Sequence, residues 1–183
     1  MTTWSTDKFP AVFLDRDGTL MRDVDYCGDP GNVHVFKGVT EALRRLKDGG
    51  YKLIVVTNQS GIGRGYFNEK QYRAVEREVA RQIGSELIDA TYYCPHRPSD
   101  KCSCRKPSPD MVVRAARDHG LDPAQSFFIG DKRSDMECGR NAGVKTILVR
   151  TGYGKDIDSE RVDLVATNLI EAADLILAGA ANE

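Results

Sequence analysis

Long hydrophobic runs and an excess of basic residues are both missing from this sequence of 183 residues. No apolar stretch approaches the roughly 18 residues that a membrane-spanning helix needs, and residues 1–10 lack the apolar core of a signal peptide. A formal net charge of −1 leaves no basic surplus to neutralise a nucleic-acid backbone. We therefore expect a cytoplasmic protein that binds neither membranes nor nucleic acids.

Cysteine and histidine are scarce as well, but they are unevenly distributed. The five cysteines are an odd number in a chain without an export signal, so a disulfide framework is not expected. Cys94, Cys102 and Cys104 lie close together with His96. Three thiolates and one imidazole match the closed ligand set of a structural zinc site, and they leave no open position for catalysis. Unligated cysteines beside an incidental histidine are the alternative, although such a dense cluster in a polar loop rarely serves packing.

Length and periodicity predict one α/β domain over residues 1–183. Short β-branched or aromatic runs predict strands over residues 11–14, 52–56, 90–93, 126–129, 145–149 and 163–166. Helical periodicity covers residues 39–47, 69–83, 109–119, 134–141 and 169–177. Because strands alternate with helices, we expect a parallel sheet with helices on both faces.

The most informative motif is Phe13-Leu14-Asp15-Arg16-Asp17-Gly18-Thr19. Asp15 follows a predicted buried strand, at the end where open parallel sheets bind ligands. Two carboxylates at this spacing suit the nucleophile and the acid/base group of phosphoryl transfer. By itself the motif could equally be an acidic loop after a strand.

Three further segments carry groups that phosphoryl transfer needs. A hydroxyl and two amides can hold phosphate oxygens, two adjacent cations can neutralise a phosphoryl group, and a second carboxylate can complete a magnesium site with Asp15. Capped turns and solvated surface cations are the alternative interpretations. The segments are Thr57-Asn58-Gln59-Ser60, Arg105-Lys106 and Asp131-Lys132.

Magnesium chemistry suggests separate roles for the carboxylates. Asp15 and Asp131 would bind the ion, together with the backbone carbonyl of Asp17. The second oxygen of Asp15 could then attack phosphorus. The side chain of Asp17 would protonate the departing alkoxide and later deprotonate a water molecule.

In chain order, these motifs resemble the four motifs of the haloacid dehalogenase superfamily over residues 13–135. The resemblance implies a Rossmann-like fold and a magnesium-dependent phosphatase in which Asp15 is the nucleophile, while Thr57 and Lys106 stabilise the phosphate. The segments after Asp17 and Thr57 leave no room for a cap domain. We therefore expect an open crevice, with a loop stapled by zinc placing Arg105 and Lys106.

The zinc loop is similar to that of two groups in this superfamily, the D-glycero-D-manno-heptose-1,7-bisphosphate 7-phosphatases and the histidinol-phosphate phosphatases. Residues 57–67 are similar to the heptose enzymes, whereas the histidinol enzymes typically have Asp at the position of Ser60. The resemblance therefore implies hydrolysis of the 7-phosphate of the heptose bisphosphate, in the synthesis of surface-polysaccharide precursors. A histidinol-phosphate phosphatase, a broader sugar-phosphate phosphatase and a non-catalytic phosphometabolite-binding protein are the alternatives.

A sugar bisphosphate brings a second anion, which Arg64 and Arg105 could bind. The irregular segment over residues 21–37 lies directly after the two carboxylates and could cover the substrate. We expect a monomer that acts on this small molecule. The predicted substrate contacts are Asp23, Val24, Asp25, Tyr26, Thr57, Asn58, Gln59, Ser60, Arg64, Arg105, Lys106 and Lys132.

Overall fold

A computed structural model describes residues 8–158 and 162–180. In it, six strands form one parallel sheet in the order β3-β2-β1-β4-β5-β6. The strands are β1 (Ala11–Leu14), β2 (Lys52–Asn58), β3 (Ala90–Cys94), β4 (Phe127–Gly130), β5 (Lys145–Val149) and β6 (Leu164–Ala166). The α-helices are α1 (Val39–Asp48), α2 (Ser60–Gly63), α3 (Glu69–Ile83), α4 (Asp110–His119), α5 (Arg133–Ala142) and α6 (Leu169–Ala180).

The predicted strands and helices are all present, with small differences at their ends. Thr57 and Asn58 belong to β2 rather than to the loop after it, because they pair with Tyr93 and Cys94 of β3. The short helix α2 was not predicted, since its four residues Ser-Gly-Ile-Gly are too few to show helical periodicity. Helix α3 begins at a capping box, because the Asn68 side chain accepts a hydrogen bond from the Gln71 N–H.

Helices cover both faces of the sheet. Val12 and Leu14 of β1 pack into a cluster with residues of α1, α3 and α6, whereas Ala11 and Phe13 pack into a second cluster with residues of α4 and α5. All four side chains of β1 are buried, so this strand lies in the middle of the hydrophobic core. Its carboxyl end is therefore held rigidly.

The strand order places a crevice beside the ends of β1 and β4. From β1 the chain moves outward to β2 and β3, and it then returns to β4 on the other side of β1. Ligands of open α/β sheets bind where the order reverses in this way. The segment from β1 to α1 contains a loop and a single 3₁₀ turn at Pro30–Asn32, and α2 and α3 fill the connection between β2 and β3. Within the described residues, neither of these two connections contains a cap domain.

Among the described residues, no helix combines the length and the apolar character that crossing a membrane requires.

Candidate active site

Neighbouring strand ends bring Asp15 and Asp131 together, as the sequence predicted. Asp15 follows β1 and Asp131 follows β4, and these two strands pair in parallel. Asp135 joins them from the first turn of α5. All three side chains are buried, and their carboxylate oxygens lie within 4.8 Å of one another. Such a cluster of oxygen ligands can hold a divalent cation.

Two glycines make room for the Asp131 carboxylate. A Cβ atom on Gly18 or on Gly152 would collide with Asp131 Oδ2. Both glycines also have a positive φ, +91° and +53° respectively, which other residues rarely adopt. The backbone N–H of Tyr153 donates a hydrogen bond of 2.8 Å to the same oxygen. The loop after β5 therefore fixes the orientation of this carboxylate.

Lys106 is the buried cation of the site, with 3% of its surface exposed. Its Nζ lies 2.8 Å from Asp15 Oδ1 and 2.7 Å from Asp135 Oδ1, and it donates to the carbonyl of Val56. Burial opposes the charge, but the two carboxylates outweigh it and raise the pKa of Lys106. The predicted phosphate-stabilising lysine is thus held as a permanent positive charge beside Asp15.

The three carboxylates differ in their affinity for protons. Burial works against ionisation of Asp15, but Lys106 and Lys132 outweigh it and lower its pKa. Burial, reinforced by the charge of Asp15, raises the pKa of Asp131 to about 7. Burial also raises the pKa of Asp135 to about 6, despite its contact with Lys106. Asp15 is therefore the group of the three that stays ionised most readily.

The Asp131 carboxylate has the properties of a cation ligand. Its Oδ1 atom is buried, and no donor among the described residues hydrogen-bonds to it. A buried acceptor without a partner is costly, and a cation bound there would remove that cost. The residues present therefore fit a magnesium ion.

Asp17 lies beside this cluster in a separate hydrogen-bond network. Gln59 Nε2 donates to Asp17 Oδ2 at 2.8 Å and to Thr57 Oγ1 at 2.9 Å. The Arg16 guanidinium contacts both carboxylate oxygens of Asp17 at 3.0 Å. The predicted acid/base group and the predicted phosphate-binding hydroxyl are thus linked through one amide.

A crevice of about 320 Å³ opens above these groups. The loop over residues 21–37 reaches it, and Lys132 Nζ donates to Asp23 Oδ2 at 2.9 Å across the gap. Thr57 and Lys106 are buried beneath the crevice, whereas Val24 packs against the hydrophobic core. Nine predicted site residues line it: Asp17, Asp23, Asp25, Tyr26, Asn58, Gln59, Ser60, Arg105 and Lys132.

Four residues lining the crevice were missed by the sequence analysis. They are Cys27, Gly61, Ser134 and Tyr153. Of these, Tyr153 was the most accessible to prediction, because it follows β5 as the other site residues follow their strands. Its ring lies 5.2 Å from Lys132 Nζ, so it also contributes a cation–π contact.

Tyr26, which lines the crevice, contacts two residues of the segment after β2. The rings of Tyr26 and Tyr66 meet edge to face at 4.9 Å, and the Arg64 guanidinium lies 5.6 Å from the Tyr26 ring. Tyr26 and its neighbour Asp25 have φ angles of 62° and 45°, which are uncommon for residues other than glycine. Arg64 itself does not line the crevice, but it contacts Tyr26, which does.

The predicted zinc ligands converge at the end of β3. Cys104 Sγ lies 3.0 Å from Cys94 Sγ and 3.2 Å from His96 Nδ1, and Cys102 Sγ lies 3.5 Å from Cys94 Sγ. These sulfur separations exceed a disulfide bond of about 2.05 Å, and all five cysteines are free thiols. The four ligand atoms can therefore surround one tetrahedral metal ion.

This cluster is directly connected to the site. Asn58 exchanges two hydrogen bonds with the backbone of Lys106, at 3.1 and 3.2 Å. Arg105 Nη1 donates to the carbonyl of His96 at 3.3 Å. The loop that carries the cysteines thus positions both predicted cations.

Comparisons with known proteins agree with this arrangement. Residues 103–172 match the model of the HAD-hydrolase-like family. The D-glycero-beta-D-manno-heptose-1,7-bisphosphate 7-phosphatase of Haemophilus ducreyi is 43% identical over 172 residues, which cover 88% of this chain and 94% of that protein. The chain belongs to this family. The predicted membership of the heptose bisphosphate 7-phosphatases, within the haloacid dehalogenase superfamily, is confirmed.

Two further relatives of this heptose bisphosphate phosphatase family extend the comparison. The D-glycero-alpha-D-manno-heptose-1,7-bisphosphate 7-phosphatase of Photorhabdus laumondii is 34% identical over 181 residues, covering 93% of this chain and 98% of that protein. The crystal structure of a D,D-heptose 1,7-bisphosphate phosphatase from B. bronchiseptica, in complex with magnesium and phosphate, superimposes with a TM-score of 0.86. It is 31% identical and covers 93% of this chain and 99% of its own.

Proposed function

We propose that this protein hydrolyses the 7-phosphate of D-glycero-D-manno-heptose 1,7-bisphosphate and releases heptose 1-phosphate and inorganic phosphate. The observation that carries the proposal is the buried contact of Lys106 with Asp15, in a chain 43% identical to a phosphatase of that name. A low-pKa carboxylate beside a permanent cation, at the end of a central strand, is suited to attack an anionic phosphate.

The reaction takes place in two steps on Asp15. In the first, a carboxylate oxygen of Asp15 attacks phosphorus, an acyl phosphate forms, and the bond from phosphorus to the C7 oxygen breaks. Asp17 gives a proton to that oxygen, so the sugar leaves as an alcohol. In the second, water attacks the phosphorus and loses a proton to Asp17, which restores both side chains and releases phosphate.

Asp15 and Asp131, with the backbone carbonyl of Asp17, would hold the magnesium ion. When bound, this ion neutralises phosphoryl oxygens and so reduces the repulsion between the substrate and the Asp15 carboxylate. Lys106 contributes a second positive charge beside Asp15, while Thr57 donates a hydrogen bond to a phosphate oxygen. Asp135 acts through its contact with Lys106.

We assign a structural zinc ion to Cys94, His96, Cys102 and Cys104. Four protein ligands fill a tetrahedral site, so this metal would fix the loop rather than take part in the reaction. Arg105 and Lys106 follow the last cysteine directly, and the exchange of hydrogen bonds with Asn58 ties them to β2. The zinc site thereby supports the phosphate-binding groups.

The crevice has cations for two phosphates. Lys106 serves the phosphate that is transferred, while Arg105 and Lys132 line the space above it and Arg64 contacts Tyr26, which also lines that space. We place the anomeric phosphate near these outer cations, and we infer a preference for the β anomer because the identity is 43% with a β enzyme and 34% with an α enzyme. The sugar is contacted by the other predicted residues that line the crevice, which are Asp23, Asp25, Tyr26, Asn58, Gln59 and Ser60.

We further propose that residues 1–183 act as a single domain, as a monomer and in the cytoplasm. All the proposed catalytic groups come from one chain and from one sheet edge. The cysteines of the zinc loop form no disulfide, which fits a reducing compartment, since disulfides form and persist in oxidising ones.

The substrate is tested by comparing kcat/KM for the two anomers of the heptose bisphosphate, for histidinol phosphate and for a panel of sugar monophosphates, with magnesium present. The β-configured bisphosphate should give the highest value. Faster turnover of histidinol phosphate, or similar turnover across the whole panel, would contradict the proposal. Sedimentation of the same sample tests the monomer.

A further inference from the structure

Arg16 is a buried cation to which the mechanism above gives no role. It lies between the proposed nucleophile Asp15 and the proposed acid/base group Asp17, and only 2% of its surface is exposed. It is among the largest side chains that are fully buried in the described part of the chain. A guanidinium in such a place is costly unless a charged partner compensates it.

The partner is the carboxylate of Asp17. Arg16 Nε donates to Asp17 Oδ2 and Nη2 donates to Oδ1, each at 3.0 Å, so the planar fork holds both oxygens at once. This bidentate geometry fixes the plane of the carboxylate as well as its position. Arg16 and Asp17 are neighbours in sequence, yet their side chains meet instead of diverging.

Gln59 closes the network on its other side. Its Oε1 accepts from Arg16 Nη2 at 3.1 Å, and its Nε2 donates to Asp17 Oδ2 and to Thr57 Oγ1. The Asp17 oxygen Oδ2 thus receives one hydrogen bond from Arg16 and one from Gln59. The Tyr72 ring, 5.8 Å from the guanidinium carbon, packs against Arg16.

The network accounts for only part of the hydrogen-bonding capacity of Arg16. Its Nη1 is buried and has no partner among the described residues. A residue present only to fill space would be apolar here, because it would avoid the cost of an unpaired donor. The orientation of the Asp17 carboxylate is what the charged fork provides and an apolar side chain cannot.

We propose that Arg16 is a positioning residue for the acid/base carboxylate, an inference that rests on the proposed role of Asp17. Arg16 does not touch the substrate. It holds Asp17 in one orientation through both steps, and it stabilises the negative charge that Asp17 carries once the leaving oxygen has taken its proton. Gln59 extends the same control to Thr57, so the proton donor and a phosphate-binding hydroxyl are aligned together.

Substrates with two different leaving groups distinguish positioning of the acid/base group from a general structural role of Arg16 in the site. An alkyl phosphate, for example D-fructose 1,6-bisphosphate, needs a proton on its leaving oxygen, whereas p-nitrophenolate departs from p-nitrophenyl phosphate as a stable anion. Arg16→Met should lower kcat for the alkyl phosphate on the order of 10²-fold, with KM unchanged. With p-nitrophenyl phosphate it should release one equivalent of p-nitrophenolate at close to the wild-type rate, followed by slow turnover as the acyl phosphate waits for hydrolysis.

Three variants serve as comparisons. Asp17→Asn should reproduce the same pattern more severely, and Asp15→Asn should show no burst. Arg45→Met removes an arginine that forms a surface ion pair with Asp174 at 2.7 Å, and it should not change the turnover of either substrate.

Two results would overturn the proposal. One is a p-nitrophenolate burst whose rate falls in Arg16→Met as much as the turnover of the alkyl phosphate does, because this would mean a general disturbance of the site. The other is an unchanged kcat for the alkyl phosphate in Arg16→Met. Should Arg16→Met fail to fold, Arg16→Lys carries the same test, since lysine keeps a buried cation but lacks the fork. Because fructose bisphosphate and p-nitrophenyl phosphate are the probes, failure of the heptose as substrate would leave this test intact.

Discussion

Without magnesium, the protein should become less stable as the pH rises towards 7, and Asp131 makes the largest contribution to this loss. Burial and the nearby charge of Asp15 raise the pKa of this carboxyl group from 3.8 to about 7 in the folded protein. Between these values the unfolded chain has released the proton while the folded chain still holds it. The unfolded state is therefore favoured progressively as the pH rises, and the loss is complete above the folded pKa.

The size of the effect follows from the shift. Each pH unit inside this interval lowers the free energy of unfolding by about 1.4 kcal/mol. From pH 5.5 to pH 8, which lies above the folded pKa of about 7, the stabilising contribution of Asp131 falls by about 2 kcal/mol. Bound magnesium would favour the ionised carboxylate and should abolish the fall.

The measurement is urea unfolding between pH 5.5 and 8 in buffer free of magnesium and of chelators, so that zinc is retained. Asp131→Asn cannot ionise, so the wild type should lose about 2 kcal/mol relative to this variant across the range. Asp48→Asn, on the exposed end of α1, is the matched control and should give a constant difference. A pH-independent difference for Asp131→Asn, or a difference that magnesium does not change, would refute the reasoning.

Three further predictions concern the proposed site. Asp15→Asn should lower hydrolysis by roughly 10³-fold or more and leave the circular dichroism spectrum unchanged; near-wild-type rates would contradict the role of Asp15 as nucleophile. Arg64→Ala should raise KM for the bisphosphate roughly tenfold, the loss of about 1.4 kcal/mol, without changing KM for a sugar monophosphate; equal effects on both would remove the contact with the second phosphate. Protein purified without chelator should contain about one equivalent of zinc per chain by metal analysis. Cys102→Ser should reduce the zinc content, lower Tm, and raise KM because Arg105 and Lys106 would be less well positioned. A wild-type protein that contains no zinc and has normal activity would exclude the structural role of the metal.

Much of the site could be predicted because it depends on strand ends. Asp15 and Asp131 each follow a short apolar run, and in a parallel sheet the ends of neighbouring strands meet without any help from loop geometry. The zinc ligands could be predicted for a related reason, since four ligand residues close in sequence need only a local loop to converge. Residue type and spacing carried the information in both cases.

The contacts made by loops could not be predicted in the same way. Tyr153 contacts Asp131 through its backbone N–H, a group that every residue other than proline possesses, so only its position after β5, and not its residue type, could have indicated this contact. The position of Asp23 depends on its ion pair with Lys132, which is 109 residues away in sequence. In the sequence Arg16 is only the residue between two aspartates, and the fold is what shows that it is buried against Asp17.

The sequence also could not show how three similar carboxylates come to differ. Asp15, Asp131 and Asp135 are all buried within one cluster, so burial alone would make each of them retain its proton. Lys106 and Lys132 reverse this effect at Asp15, whereas at Asp131 the charge of Asp15 adds to it. The arrangement therefore concentrates negative charge on the residue that must attack phosphorus, and it leaves Asp131 to exchange a proton for a metal ion. Protons and magnesium should accordingly compete for Asp131, so more magnesium is needed to saturate the enzyme as the pH falls below about 7.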